Sequence, residues 1–179
     1  MTRLYNHYNE TMPRKTRVIK NSEVIKVGDF IVQEGAGVAN VDAKTENVQG
    51  FCTNILDRNG TPLSSITALA DADGTWALAT QSYTASADNE TDKLVQAEYY
   101  EIQENDQIVA TLDADKGTTT GSNKEGYYLG ILTSNSSLLD ESDAATAATG
   151  LQFQIEKATG EDLGVREVVV RVIKRQSNL

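Results

Sequence analysis

Short runs of apolar residues alternate with Gly, Asp and Asn along the chain from about residue 18 onward. Runs of about four to eight residues between such turn formers favour β-strands, because a helix needs a longer amphipathic pattern. The runs lie at 24–27, 30–32, 48–52, 94–102, 107–112, 127–132, 151–155 and 165–173. The pattern therefore predicts an all-β fold, a small barrel or sandwich of short antiparallel strands.

Two of these runs indicate what their faces contact. In 94–102, Tyr99 and Tyr100 are adjacent, which puts one ring in the core and one at the rim or at a protein interface. The run at 165–173 carries valines on both faces. Such a strand is either central in a two-layer core or half-covered by another subunit.

Turn residues interrupt the runs most clearly in the middle of the chain. Asn59-Gly60 accepts the positive φ values of a tight hairpin turn, and residues 71–74 offer a second turn. We therefore predict hairpins across residues 53–84. The polar residues 85–92 are predicted to form a surface loop or a joint between subdomains.

One segment has the composition of a helix. Residues 138–148 are rich in Ala, with Asp140 and Ser142 as competing N-caps. Gly150 follows where a left-handed residue commonly ends a helix. The segment predicts one short helix in an otherwise all-β chain.

An internal similarity links two parts of the chain. Gly-Asp-Phe-Ile-Val at 28–32 precedes the run at 48–52, and Asn-Asp-Gln-Ile-Val at 105–109 precedes the run at 128–132. The two pairs fit either a duplicated β unit or a chance similarity, since two-strand units of this kind occur in many β domains.

Charge divides the chain into a basic start and an acidic remainder. The formal net charge is −10, but residues 1–20 contain five cationic side chains and one acidic side chain (+4), which leaves −14 for the rest. Residues 1–17 are predicted to form an extended basic arm, followed by a β domain at 18–179 with a hairpin-rich insertion at 53–92. An acidic body argues against a nucleic-acid partner, because phosphate binding needs clustered Lys and Arg.

The inventory of reactive side chains is small. His7 and Cys52 are the single His and the single Cys, so the chain cannot assemble a Cys/His metal site, a disulfide or a supported Cys-His dyad. Cys52 lies in an apolar run and is predicted to be a small core residue. With no Gly-x-Ser-x-Gly motif either, we predict no catalytic residues and no cofactor.

Pairs of acidic residues are the remaining candidates for a metal site. Asp71 with Asp73, and Asp113 with Asp115, have the spacing of the first ligands of an EF-hand, but the Gly that its loop requires is absent from both. Asp residues also form turns by accepting hydrogen bonds from nearby backbone. We therefore predict no metal, with a looser divalent-cation site as the open alternative.

Membrane and targeting patterns are also missing from the sequence as given. No stretch approaches the ~18 apolar residues of a membrane helix, and the first residues are polar. We expect a protein that is made in a cytoplasm, where a lone thiol stays reduced, and that has no membrane partner.

A Gly-Asp turn between two strands opens the predicted β domain. The motif Val24-x-x-Val27-Gly28-Asp29-Phe30-Ile31-Val32, followed by Val48-x-Gly50-Phe51-Cys52, resembles the opening of small all-β head decoration (cement) proteins of tailed bacteriophages. The later segments 106–109, 126–130, 150–155 and 168–173 are similar to the strand order of capsid-associated β proteins.

The middle hairpins carry a second resemblance. Asp57-x-Asn59-Gly60-Thr61-Pro62-Leu63 and the stretch at 72–78 resemble fragments of immunoglobulin-like repeats from bacterial adhesins and phage virions. This resemblance implies an alternative function, an adhesin or fibre module that binds a receptor or a glycan.

The first resemblance implies an auxiliary virion protein that binds the assembled capsid surface and stabilises it, without enzymatic activity. Its partner would be the major capsid protein. We also expect a homo-oligomer, with a trimer favoured, because decoration proteins commonly sit at local symmetry axes. The predicted contact residues all belong to the arm: Arg3, Leu4, Tyr5, Tyr8, Met12, Arg14, Lys15 and Arg17.

Overall fold

The computed structural model describes residues 3–6, 14–42, 48–63, 82–114, 125–146, 151–158 and 163–173. These residues form twelve strands and one α-helix, α1 (Asn89–Asp92). The strands are β1 (Arg3–Asn6), β2 (Arg14–Val18), β3 (Val24–Lys26), β4 (Phe30–Glu34), β5 (Gly37–Asn40), β6 (Val48–Asp57), β7 (Ser82–Thr84), β8 (Val95–Glu101), β9 (Gln107–Thr111), β10 (Tyr128–Leu129), β11 (Phe153–Lys157) and β12 (Glu167–Val172).

The strands form three antiparallel sheets. Sheet 1 has the order β2-β8-β6-β4-β5, and sheet 2 has the order β1-β9-β12-β11-β10. Sheet 3 is the pair β3-β7. The arrangement is sandwich-like, which confirms the predicted all-β class.

Two apolar cores hold these sheets together. The main core lies between sheets 1 and 2, where the rings of Phe30 and Phe153 pack with their centroids 5.1 Å apart. The second core covers the opposite face of sheet 1, where Ile31 and Cys52 pack with Ile25 of sheet 3. Sheet 1 is therefore apolar on both faces because it is the middle layer.

Each large sheet also curls toward closure. Ile19, one residue after β2, forms a parallel bridge with Val38 of β5. In sheet 2, Leu139 bridges both Leu112 and Ile131, which follow β9 and β10. These isolated bridges shorten the open edges of both sheets.

Eight of the twelve described strands coincide with the apolar runs, whereas β1, β2, β5 and β7 coincide with none. All eight runs overlap an observed strand. A turn does form at Asn59-Gly60, but of the two residues only Gly60 has a positive φ, 81°. The Gly60 N–H donates to the Asp57 carbonyl at 3.0 Å, so the turn spans 57–60 with Gly60 as its last residue. The second predicted turn, at 71–74, lies outside the described residues.

The predicted helix at 138–148 is wrong for the part of it that the structure describes. Only a 3₁₀ turn forms, Glu141–Asp143, with the Asp140 carboxylate accepting the Ser142 N–H at 3.0 Å. Ala145 then exchanges two backbone hydrogen bonds with Tyr128, at 2.8 and 3.1 Å. This extended pairing uses backbone groups that an α-helix would need for itself. The α-helix forms instead at α1, within the predicted loop.

The two-sided strand β12 is central in sheet 2. It lies between β9 and β11, with Val168, Val170 and Val172 in the main core and Val169 buried on the opposite face. Its place in the sheet accounts for its apolar faces within one chain. The homo-oligomer stays a prediction, since no other chain is needed to explain them.

The internal similarity between 28–52 and 105–132 does not extend to strand pairing in its second half. Residues 128–132 do not pair with β9, because Tyr128 and Leu129 pair with β11. The partner of β9 that corresponds to β6 is β12. Similar apolar runs could not distinguish these two partners.

The boundaries predicted for the arm and the insertion fall inside sheets. Position 17, the predicted end of the arm, lies within β2, and β1 pairs with β9. The insertion predicted at 53–92 begins inside β6 and contains β7, which pairs with β3.

Candidate partner-binding surface

The predicted contact residues divide between two sheets. Arg3, Leu4 and Tyr5 belong to β1, the edge strand of sheet 2, where Arg3 is opposite Val109. Arg14, Lys15 and Arg17 belong to β2, the edge strand of sheet 1. Tyr8 and Met12 lie outside the described residues. The structure thus brings three of the eight predicted residues together on one strand whose side chains it describes.

The edge strand β2 is exposed from Arg14 through Arg17. It pairs with β8 in a regular register that places Arg14 opposite Tyr100 and Lys15 opposite Tyr99. Because directly opposite residues share a face of the sheet, the cationic side chains project on both faces of this edge. An acidic protein therefore presents a cationic strand at the boundary of its middle sheet.

Arg14 is held against the rim of the main core. Its guanidinium carbon lies 5.1 Å from the centre of the Tyr100 ring, and Nε and one terminal nitrogen donate to the Tyr100 hydroxyl at 3.2 and 3.0 Å. The hydrogen bond to Tyr100 is the main cause that raises the pKa of Arg14, with a smaller contribution from the charge of Glu98. The Tyr100 ring itself packs on Phe51. Arg14 is thus fixed in place and stays charged.

The ion pairs along this edge are long and solvated. Arg14 lies 3.8 Å from Glu98, and Lys15 lies 3.7 Å from Glu101. Both cationic side chains remain at least half exposed, at 60% and 50%. Exposed pairs of this kind contribute about 0 to 1 kcal/mol, so a partner carboxylate can replace them at small cost.

Backbone groups of β2 alternate between β8 and solvent. Ile19 donates its N–H to the Val95 carbonyl at 3.2 Å, which sets the phase of the antiparallel ladder. By that alternation, the backbone groups of Lys15 and Arg17 face β8, and those of Arg14 and Thr16 face outward. Among the described strands, β2 is the last of sheet 1 on this side, so the outward groups lie at an edge of the sheet.

A buried asparagine fixes the end of this edge. Asn89 is 0% exposed, and its side-chain nitrogen donates to the carbonyls of Ile19 and Val95 at 2.6 and 3.0 Å. Its side-chain oxygen accepts the Val95 N–H at 2.9 Å. Sequence reasoning missed this residue because Asn in a polar stretch indicates a loop, and no local pattern reveals a contact 70 positions away.

The remaining candidate residues are Cys52, His7 and the aspartates of the predicted acidic pairs. Cys52 is buried in the second core, as predicted, and burial raises the pKa of its thiol to about 12. Asp113 accepts the backbone N–H of Glu141 at 2.8 Å. His7, Asp71, Asp73 and Asp115 lie outside the described residues. Within the described ranges, no three His, Cys, Asp or Glu side chains converge closely enough to hold a metal ion.

No helix in the described part of the chain is long and apolar enough to cross a membrane. No protein-family model, curated protein or solved structure matches the chain.

Proposed function

We propose that this chain is an auxiliary virion structural protein that binds an assembled capsid through the cationic edge of β2 and stabilises it. The observation that carries the proposal is the exposed strand from Arg14 to Arg17, which displays positive charge on an acidic protein. The partner is the major capsid protein. No chemical step is assigned to the chain, which acts by surface contact on the virion.

Charge separation supports this mode of action. Residues 1–20 carry +4 and the rest of the chain carries −14, so cationic groups concentrate where the edge strands of both sheets begin. Electrostatic complementarity of this kind orients a protein on an oppositely charged surface and accelerates association. The acidic remainder favours solubility at high copy number.

Repetition on a lattice makes weak contacts sufficient. A single exposed strand offers few hydrogen bonds, but a homo-oligomer, with a trimer favoured, would engage several capsid subunits at once. Linked contacts raise the apparent affinity by about 10² to 10⁴ without any new contact in each subunit. The proposed trimer would therefore join neighbouring capsid proteins across their boundaries.

Substitutions on β2 test the proposal more cleanly than deletion does. Deleting residues 1–17 would remove β1 and most of β2, and so would disturb both sheets. The variant Lys15→Glu/Arg17→Glu changes only exposed side chains, and Arg58→Glu in the exposed turn after β6 is a control for charge reversal away from this edge.

The measurement is occupancy on particles that carry the protein, stripped of it and then decorated again. We expect the double variant to bind at least tenfold more weakly, about 1.4 kcal/mol per site, and Arg58→Glu to bind like the unmodified chain. Full decoration by the double variant across a salt series would contradict the proposal. Analytical ultracentrifugation of the free and released protein measures the oligomer.

A further inference from the structure

We infer that the free edge of β2 is a strand-addition site for an extended acidic segment of the partner. The inference rests on the proposed function, because the capsid surface is the source of that segment. The site is limited to the stretch from Arg14 to Arg17, which is exposed throughout. It requires backbone pairing as well as charge, which distinguishes it from simple electrostatic attraction.

The backbone argument comes from the phase of the β2–β8 ladder. The Ile19 N–H bond to Val95 places residues 15, 17 and 19 in hydrogen-bonded pairs with β8. Arg14 and Thr16 consequently present their N–H and C=O groups at the sheet edge. Unpaired groups in this arrangement are a template for another strand.

The far end of β2 limits the length of the site. Ile19 bridges to Val38 of β5, and the Lys20 N–H donates to the Val38 carbonyl at 2.9 Å. Sheet 1 is therefore nearly closed at that end, and an added strand can pair only nearer the start of β2. Two outward-facing residues, Arg14 and Thr16, define the described part of the site.

The side chains determine the charge of the occupant. Arg14 lies on the Tyr100 face of the sheet, whereas Lys15 and Arg17 lie on the opposite face. An added strand would therefore meet cationic side chains on both of its faces. A segment with acidic residues at successive or alternate positions fits this arrangement, since oppositely charged cross-strand neighbours stabilise a pair by about 0.2 to 1 kcal/mol each.

The same charges disfavour a second copy of this chain as the occupant. Antiparallel pairing of two β2 strands about Thr16 would place Lys15 opposite Arg17 of the other copy, and this would occur twice. Like charges directly opposite each other destabilise a strand pair. Cationic edge strands are a known protection against self-association, so the edge admits an acidic strand and rejects its own copy.

The decisive variant is Thr16→Pro. Proline lacks an N–H, and proline at an edge position whose N–H faces solvent is tolerated in a sheet. The substitution therefore removes one outward donor and obstructs an added strand without removing a bond to β8. Thr16→Val is the matched control, because valine keeps the N–H and the strand preference.

The probe is a synthetic ten-residue peptide of alternating Glu and Val, with a Lys-for-Glu peptide as charge control. We expect Thr16→Pro to weaken binding of the acidic peptide at least tenfold by fluorescence polarisation, while Thr16→Val binds like the unmodified chain. Equal binding to Thr16→Pro and the unmodified chain would overturn the inference. Equal binding of the Lys peptide would overturn it too.

Hydrogen exchange gives a measurement that does not depend on how well the proline variant folds. In the unmodified chain, the outward Thr16 amide should exchange rapidly and slow at least tenfold when the acidic peptide saturates the site. The Arg17 amide, already paired with β8, should change much less. An unchanged Thr16 exchange rate at saturation would overturn strand addition.

The outcomes on particles separate the two proposals. If Lys15→Glu/Arg17→Glu fails to decorate particles but Thr16→Pro decorates them fully, the strand-addition site is overturned and the proposed function stands. If the acidic peptide binds in the manner predicted but the double variant still decorates particles, the strand-addition site stands and capsid binding through the cationic edge of β2, as proposed above, is overturned.

Discussion

Sheets 1 and 2 share one plan although they differ in sequence. When sheet 1 is followed from β5 and sheet 2 from β1, each has five antiparallel strands, and β4 of sheet 1 corresponds to β9 of sheet 2. β6 then corresponds to β12, and β8 corresponds to β11. The predicted similarity between the two parts of the chain is therefore a similarity of turns and strand pairs, with a different partner strand in the second part.

The corresponding strands begin with matching turns. The Asp29 carboxylate accepts the Lys26 N–H at 2.8 Å, and the Asp106 carboxylate accepts the Gln103 N–H at 2.7 Å. In both turns the Asp N–H also donates to the carbonyl three residues earlier, at 3.1 Å.

A residue with positive φ precedes each Asp. It is Gly28 (98°) in one turn and Asn105 (72°) in the other. Turns of type II require such a residue at this position, and Gly and Asn adopt it at low cost. The same local chemistry thus starts β4 and β9.

The pairing beyond the turns matches as well. The carbonyl of Asp29 accepts the Cys52 N–H at 2.8 Å, and that of Asp106 accepts the Val172 N–H at 2.9 Å. The two sheets differ, however, in what covers their faces. Sheet 1 is covered on both faces by apolar cores, whereas sheet 2 contributes one face to the main core. Turns of the same local chemistry therefore start strand pairs with the same register. Packing against the covering layers then determines which side chains each position tolerates.

The largest expected effect is a loss of stability at Gly50. This residue is opposite Ile31 in sheet 1, and Val170 occupies the corresponding place opposite Ile108 in sheet 2. A Cβ at Gly50 would lie 1.9 Å from the carbonyl oxygen of Tyr100, so Gly50→Ala must displace backbone. We expect a loss of about 4 kcal/mol in the free energy of unfolding, or failure to fold.

Urea denaturation followed by circular dichroism measures this loss. The matched control is Gly164→Ala, where a Cβ would meet only the flexible Glu167 side chain at 3.7 Å or more. The control should differ from the unmodified chain by less than about 0.5 kcal/mol. A Gly50→Ala protein as stable as its control would show that the two sheets tolerate side chains equally at this position.

The next effect concerns how the sheets close. In sheet 1 the Lys20–Val38 backbone bond bridges the edges, and the Asn89 side chain holds that end of β2 to β8 by bonding Ile19 and Val95. In sheet 2 the backbone of Leu139 forms the corresponding bridges. Asn89→Ala leaves buried backbone groups without hydrogen-bond partners, so we expect a loss of about 2 to 3 kcal/mol in the free energy of unfolding. Asn89→Asp should not rescue stability, because a carboxylate cannot donate to the two carbonyls.

Hydrogen exchange locates this loss. Amides of β2 should exchange faster in Asn89→Ala, while amides of β9 and β12 in sheet 2 stay protected to the level of global unfolding. Uniform acceleration across both sheets would mean that they unfold as a single unit and that Asn89 has no special role at the edge.

The smallest effect is a pH dependence with opposite signs in two turns. Burial raises the pKa of Asp29, partly offset by the Lys26 N–H and the Ser136 hydroxyl. The folded state therefore holds the Asp29 proton more tightly than the unfolded state, so the stability that this group contributes is present at low pH and lost as pH rises through the raised pKa. Asp57 is the reverse case, because the Thr61 N–H lowers the pKa of its carboxyl.

Urea unfolding from pH 7 to pH 2.5, a range that crosses the ordinary Asp pKa of 3.8, compares the unmodified chain with Asp29→Asn and with Asp57→Asn. As the pH falls, the unmodified chain should gain stability relative to Asp29→Asn and lose stability relative to Asp57→Asn. Differences that stay constant over this range, or that share one sign, would contradict the assigned environments of the two carboxylates.

The sequence by itself determined the local features of this protein. Apolar runs located eight of the twelve described strands, and the turn at Asn59-Gly60 followed from the positive φ that Gly60 adopts. The burial of Cys52 was also predicted from its apolar neighbours. These features depend on the residue and its near neighbours, whose backbone preferences and side-chain period act over short distances.

The tertiary structure alone decided which strands pair and what each face contacts. Apolar runs such as 128–132 and β12 are chemically interchangeable as partners for β9, so the sequence left open whether the internal similarity was a duplicated unit or chance. Valines on both faces of β12 could not show whether a layer of the same chain or another subunit covers them. Asn89 acts on a carbonyl 70 positions away, and β2 gained its exposed cationic edge only by pairing with β8. Such contacts form when the free energy gained by burial exceeds the entropy lost in closing long loops. A local sequence pattern contains no information on either quantity.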